Sequence, residues 1–177
     1  NNFFRTVYEK IKSNTEMIQE AVTLGCSRAK VIWTKTIAIG TWGRLQCQYG
    51  CSHYGKLHTC PPHSPNSDEL GEILVDYQRA LLLYAIPKVD MRDVAVTLEE
   101  SFKSKGFYKA FGLCSRACDL CEICTIDSFC KYPDKARPTL QGCGIDVQST
   151  VFNNGWADVS PNQPCADMNN IGMVLLD

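Results

Sequence analysis

Three segments of the chain carry apolar residues at helical spacing. Residues 14–24 place apolar side chains three and four positions apart, as amphipathic helices do. Residues 68–77 follow Ser67, a good capping residue, and begin with two acids that suit a helix N-terminus. Residues 91–106 follow Asp90, another capping residue, and repeat an apolar side chain every four positions. The pattern predicts three amphipathic helices.

Four further segments are rich in β-branched, aromatic or continuously apolar residues and predict strands. They are residues 31–42, 80–86, 108–113 and 171–176. Pro138 can occupy the first position of another, short helix. Helices and strands therefore alternate along the chain. This order predicts an α/β or α+β fold in one layered domain, with a central sheet of about four strands flanked by helices.

Composition is ordinary for a globular protein. The chain has 177 residues, of which 45% are hydrophobic and 21% charged, and we expect a single domain over residues 1–177. A net charge of −1 creates no field that would attract nucleic acid or an anionic membrane, so neither partner is expected. The sequence shows no spanning apolar run and opens without an export signal, which leads us to expect a cytoplasmic location.

Cysteines supply the chemistry of this sequence. There are eleven, an odd number, and seven of them fall in two clusters, which argues against a disulfide framework. We call residues 44–65 the first cysteine region and residues 114–138 the second cysteine region. Each is read as a metal-binding loop. The standard nucleotide motifs, a G-x-G-x-x-G turn and a P-loop, are absent from the sequence.

The second cysteine region has the spacing of a metal cluster. Cys118, Cys121 and Cys124 form C-x-x-C-x-x-C, and Cys130 follows with Pro133 three residues behind it. This approaches the ferredoxin-type run, although the last gap is longer and the proline is displaced. A single zinc usually draws four ligands from two separated pairs. The spacing therefore favours a 4Fe-4S cluster on these four cysteines, with a structural zinc as the alternative.

The first cysteine region offers three thiols without an obvious fourth. Cys47 and Cys51 are one helical turn apart, and Cys60 precedes two prolines that stiffen the chain. A three-thiolate cubane would leave one iron open to substrate. Other groups could close the site or convert it to a Cys₃His zinc site, and unliganded thiols are also an option. The candidates to close it are His53, His58, His63, Cys26 and Cys165.

The two regions follow predicted strands and are expected to meet at one end of the sheet, where open α/β sheets place ligands. Cys26 and Cys143 are expected to be small buried hydrophobes, and Cys114 is the best further ligand candidate. Arg137 is expected to neutralise thiolate charge rather than bind cluster sulfur or a substrate anion. Glu99 is expected to be solvated on a helix surface.

The combined motifs resemble a family of predicted metal-binding proteins, the domain of unknown function 2284. The chain departs from the family pattern at Arg116 and Ala117, where a Gly-Pro pair is expected, and at Cys143, where an aromatic is expected. The resemblance implies metal binding in a cytosolic protein of anaerobic type and supplies no reaction. The matching positions are Cys47, Cys51, Tyr54, Gly55, Cys60, Pro61, Pro62, Gly106, Tyr108, Lys109, Cys118, Cys121, Cys124, Cys130, Pro133, Arg137, Pro138, Gly144, Ile145 and Asp146.

Three functions are compatible with these features. The first is a cytosolic iron–sulfur electron carrier or redox accessory protein, with one or two 4Fe-4S clusters and a redox partner protein. The second is an iron–sulfur enzyme in which the cluster on Cys47, Cys51 and Cys60 binds substrate and the other cluster supplies electrons. The third is a zinc-stabilised interaction module. The sequence leaves open whether the protein is an enzyme.

Overall fold

The computed structural model describes residues 2–159 and 170–177, which form a four-stranded sheet with helices on both faces. None of the helices in these ranges is long and apolar enough to span a bilayer. Two 3₁₀ helices, Thr34–Thr36 and Gln141–Cys143, lie between the main elements. In chain order the main elements are α1 (Asn2–Thr23), β1 (Arg28–Trp33), α2 (Gly43–Gly50), α3 (Ser67–Val75), β2 (Arg79–Ala85), α4 (Met91–Ser104), β3 (Phe111–Cys114), α5 (Val147–Asn153) and β4 (Asn170–Leu175).

The sheet has the strand order β1-β2-β4-β3, and every neighbouring pair is antiparallel. The two central strands, β2 and β4, are buried almost throughout, which explains why they read as continuous apolar runs. The antiparallel pairing makes the fold α+β, one of the two classes that the sequence predicts. Because the sheet has no parallel pair, the placement rule for ligands in open parallel sheets does not apply to it.

Two apolar cores lie on opposite faces of the sheet, because successive strand residues point to opposite sides. Leu81 and Leu83 of β2 face α1 and α4, where Phe102 is fully buried. Ala80 and Leu82 of the same strand face α3, α5 and the 3₁₀ helix Gln141–Cys143. Both cysteine regions connect elements of the second face, so this core supports the candidate site.

The four predicted strands are confirmed, but the first prediction extends too far. Strand β1 starts at Arg28 and ends at Trp33, whereas residues 31–42 were predicted. Trp33 pairs with Arg79, the first residue of β2, so the partner strand offers no residue for pairing beyond this point. The backbone N–H of Thr34 instead donates to the carbonyl of Gln78, and a 3₁₀ helix follows.

Helix boundaries also differ from the prediction at several places, and the largest difference is α1, which begins at Asn2 rather than at residue 14. Asn66 rather than Ser67 caps α3, and it forms a complete capping box with Glu69. No helix begins at Pro138, because Thr139 forms a parallel β-bridge with Cys114, and the 3₁₀ helix Gln141–Cys143 starts only after it. The first cysteine region is not all loop, since α2 occupies its first third. Asp90 caps α4 as predicted.

Candidate metal centre

The first cysteine region holds its thiols on a short helix and a compact turn. Helix α2 places Cys47 on its buried side, and the N–H of Cys51 donates to the carbonyl of Cys47 at 3.3 Å, which ends the helix. Cys60 is almost fully buried, whereas Cys51 is partly exposed. One helical turn therefore separates Cys47 from Cys51, as the C-x-x-x-C spacing implies.

Burial and mutual repulsion disfavour thiolates in this region. Burial raises the pKa of Cys60 to about 11, and the neighbouring thiols of Cys51 and Cys47 add to the effect. Burial is also the main cause of the raised pKa of Cys47, with a further contribution from Cys51 and an opposing one from the Arg44 cation. A bound cation would relieve both effects, because it stabilises deprotonated sulfur.

Glycine and proline shape the turn between the cysteines. Gly55 has φ +72°, a conformation that side chains rarely adopt, and its N–H donates to the carbonyl of Pro61 at 2.8 Å. Tyr54 accepts a hydrogen bond from the Arg44 guanidinium at 2.8 Å, which ties the turn to α2. The Tyr-Gly pair in the motif therefore has a structural role next to the thiols.

The three histidines of the region go to three different places. His53 Nδ1 lies 3.8 Å from the sulfur of Cys51. His58 Nε2 lies 2.8 Å from the carbonyl of Thr125 in the second cysteine region. His63 Nε2 lies 3.3 Å from the carbonyl of Gly55. Of the predicted closing ligands that the structure describes, His53 lies beside a thiol of the first region.

The four cysteines of the second cysteine region line one narrow cavity of about 10 Å³. The region has no helix or strand after Cys114, and each of the four cysteines is partly exposed. Within the described part of the chain no charged side chain lines the cavity, and its other walls are mostly apolar. The lining residues are Leu57, His58, Thr59, Cys118, Leu120, Cys121, Cys124, Cys130, Tyr132 and Ala136.

Arg137 anchors the end of this region by a buried ion pair. Its Nε and Nη2 atoms donate to the two carboxylate oxygens of Glu99 at 2.8 and 3.0 Å. The same guanidinium donates to the carbonyls of Pro133, Asp134 and Ala136. The expectation that Glu99 is solvated is wrong, since only 2% of it is exposed. Arg137 is likewise engaged by Glu99 rather than aimed at the thiols.

A second arginine, Arg92 of α4, reaches the start of the second cysteine region. Arg92 pairs with Asp119, which follows Cys118 directly. Burial raises the pKa of Cys118, and the N–H of Leu120 and the Arg92 cation oppose this rise. Arg116, by contrast, points its guanidinium towards the carbonyls of Pro87 and Val89 at 3.4 Å.

The two cysteine regions contact each other, although not at one end of the sheet. Strands β1 and β3 are the two edge strands and run in opposite directions, so the regions that follow them begin at opposite ends of the sheet. They meet across the face of the sheet, where the N–H of Thr139, directly after the second region, donates to the carbonyl of Thr59 at 3.0 Å. The contact of His58 with Thr125 adds a second link. The predicted meeting is therefore confirmed, but its expected location is wrong.

The remaining cysteines are buried where the structure describes them. Cys26 belongs to the core under α1 and α4. Cys114 is buried at the end of β3, with its sulfur 3.5 Å from the carbonyl of Arg116. Cys143 is buried in the opposite core. Burial is the main cause that raises the pKa of Cys143 to about 12, and Cys60 contributes to the rise. No spacing in the sequence indicates this interaction. Cys165 lies outside the described residues.

The donor set fits a thiolate-bound cluster. The ten cysteines that the structure describes are all free thiols. Within residues 2–159 and 170–177, no three or more His, Cys, Asp or Glu side chains converge as a single ion requires. Iron–sulfur clusters are held by four cysteine thiolates at their outer corners, farther apart than ligands around one ion. Four thiols around one cavity, without a carboxylate among them, suit this requirement.

Comparison with known families supports metal binding. The family described as predicted metal-binding protein, DUF2284, matches residues 30–176, and the chain belongs to this family. The match starts within β1, so α1 lies outside it. It contains both cysteine regions, which confirms the resemblance drawn from their motifs. No curated protein and no solved structure matches the chain.

Proposed function

We propose that the second cysteine region binds one 4Fe-4S cluster through Cys118, Cys121, Cys124 and Cys130, and that the protein transfers electrons or serves as a redox accessory protein. The observation that carries the proposal is the single cavity lined by all four thiols. A 4Fe-4S cluster supplies one-electron chemistry, and four cysteine ligands leave no iron open to substrate. Outer-sphere electron transfer is the default use of such a closed cluster.

Exposure of this region suits a redox partner protein. The four cysteines are partly exposed, so a cluster held by them would lie near the surface. Ile123 and Phe129, within the same region, expose 81% and 95% of their surface. Exposed large apolar side chains favour contact with another protein. We propose a cytoplasmic location on the basis of the thiol content, since reducing compartments keep cysteines free for metals.

The alternative is an enzyme whose first cysteine region holds a second cluster on Cys47, Cys51 and Cys60. It is favoured by the hydrogen bond from Gly55 to Pro61, which folds the first region into one compact turn, and by the partial exposure of Cys51. His53, 3.8 Å from Cys51, would close the open iron if it became a ligand. Addition of cyanide to the reduced protein, followed by electron paramagnetic resonance, separates these cases. A perturbed signal supports an open iron, whereas an unperturbed one leaves electron transfer as the function.

The decisive experiment is a count of iron, zinc and acid-labile sulfide after anaerobic purification. We expect about four irons and four sulfides per chain for the second region alone, and about eight for two clusters. Replacement of all four cysteines of the second region by alanine should remove about four irons. Cys26→Ser is the matched control and should keep the full content. Zinc without sulfide would instead establish the zinc-stabilised module, and full iron in the quadruple variant would refute the ligand assignment.

A further inference from the structure

A second cavity lies directly beside the thiol-lined one. Its volume is about 450 Å³, and it opens between the two cysteine regions, α3 and the edge of the sheet. Cys130, His58 and Thr59 line both cavities. Sites for small organic molecules usually have about 300–1,000 Å³, mostly apolar walls and a few polar groups. The size of this cavity falls within that range.

The walls of this cavity select against a charged ligand. One side is formed by Ile73, Phe111 and Leu175 together with prolines, and among the residues that the structure describes no Asp, Glu, Lys or Arg side chain lines the cavity. The guanidinium of Arg137 lies 5.0 Å from the centre of the Phe111 ring and is engaged by Glu99. A buried charge without a partner is costly, so the cavity suits an uncharged compound. The Phe111 ring favours an aromatic one, because aromatic pairs gain energy beyond simple burial.

The polar edge of the cavity is formed by His58, His63, Thr59 and Ser64. In both histidines Nε2 lies within hydrogen-bond distance of a backbone carbonyl, that of Thr125 or of Gly55. A carbonyl oxygen can only accept, so Nε2 carries the proton in each ring. In a neutral imidazole Nδ1 is then an acceptor. A ligand that pairs with it must therefore bring a donor.

We propose that this cavity binds a compact, uncharged aromatic compound that carries a hydroxyl group. The ring lies among Ile73, Phe111 and Leu175, and the hydroxyl donates to Nδ1 of His58 or His63. Because Cys130 belongs to both cavities, the ligand sits next to the proposed cluster. Only this last statement rests on the proposed function; binding itself requires no metal.

The test uses calorimetric titration of the anaerobically purified full chain with 2-naphthol, 2-methoxynaphthalene and 2-naphthoate as probes. We expect one saturable site for 2-naphthol and binding at least about fivefold weaker for each of the other two, which lack the neutral donor. Ile73→Trp fills the cavity and should weaken 2-naphthol binding at least tenfold, by loss of the space. Val75→Trp adds the same indole to an exposed position of the same helix and should leave the affinity unchanged within about twofold.

Two further variants test the histidine edge. His58→Leu or His63→Leu should remove the preference for 2-naphthol over 2-methoxynaphthalene, because the acceptor is lost. Equal affinity for all three probes, or unchanged binding in Ile73→Trp, would overturn the proposal. Iron and sulfide counts on the same samples separate the two hypotheses: binding without iron refutes the cluster alone, and iron without binding refutes the ligand site alone.

Discussion

The first cysteine region holds its thiols on a short helix and the turn that follows it, whereas the second holds them on turns alone, around a cavity. In the first, α2 and the turn at Gly55 bury Cys47 and Cys60 against the core. In the second, four partly exposed cysteines face a common space. The difference shows that regular structure is not needed to gather thiols. Close sequence spacing suffices when the loop ends are held in place.

The ends of the two regions are held by different means. The first region runs into α3, whose first turn is closed by the capping box of Asn66 and Glu69. The second is held at its exit by the buried pair of Arg137 and Glu99. A capping interaction contributes about 1 kcal/mol, whereas breaking a buried ion pair costs several times as much. The less regular region therefore depends on the stronger anchor.

The largest expected effect is a loss of bound iron, and it should differ between the two regions. Cys121→Ala should remove about four irons per chain and lower the stability markedly, because the binding energy of a metal centre is also folding energy. Cys47→Ala, the matched change in the first region, should leave the iron of the second region in place. Iron and sulfide counts measure both. Loss of all iron in the Cys47 variant would show that the regions share one site.

The next effect concerns the anchor of the second region. Arg137→Leu leaves the buried Glu99 carboxylate without its bidentate partner and should lower the free energy of unfolding by about 3–5 kcal/mol. Arg92 lies on α4, as Glu99 does, and forms a more exposed pair with Asp119. Arg92→Leu removes this pair and should lower the free energy of unfolding by about 1 kcal/mol or less. Denaturant unfolding of both variants measures the contrast. Equal losses would mean that Arg137 is no special anchor.

A third prediction concerns how burial alone changes the pKa of a thiol. Burial raises the pKa of Cys26, which belongs to neither region, to about 11. A thiol whose pKa is higher in the folded than in the unfolded protein contributes its full stability at a pH below the pKa of the unfolded chain. This contribution is lost as the pH rises towards about 11. The difference in unfolding free energy between the unmodified protein and Cys26→Ala should therefore shrink by about 3 kcal/mol between about pH 8 and about pH 11. A constant difference would show that Cys26 is less buried than described.

The smallest effect tests the exit of the first region. Asn66→Ala removes the side chain that accepts from the N–H groups of Asp68 and Glu69 and should cost about 1 kcal/mol. Asn66→Gly is the control and should cost only a few tenths of a kcal/mol, because glycine is itself tolerated at this position. Thermal unfolding resolves the two. A loss as large as that of Arg137→Leu would remove the proposed difference in anchoring.

The sequence predicted the elements well because their signals are local. Four strands and the cap at Asp90 follow from apolar runs and capping residues that lie close together in the chain. The strand over residues 31–42 was too long because its end depends on where the partner strand begins, at Arg79. Helix α2 was missed because its glycines and cysteines read as a loop.

By itself, the sequence determined the number of strands, the membership of both cysteine groups and the resemblance to a metal-binding family, since each rests on short-range spacing. Only the tertiary structure decided the antiparallel order of the sheet, the burial of Glu99 against Arg137 and the hydrogen bond from Ser64 to the carbonyl of Gly142. It also brought the two regions together around a shared pair of cavities. These features join residues far apart in the chain. Their pairing is selected by the burial of two apolar cores, and no local pattern records it.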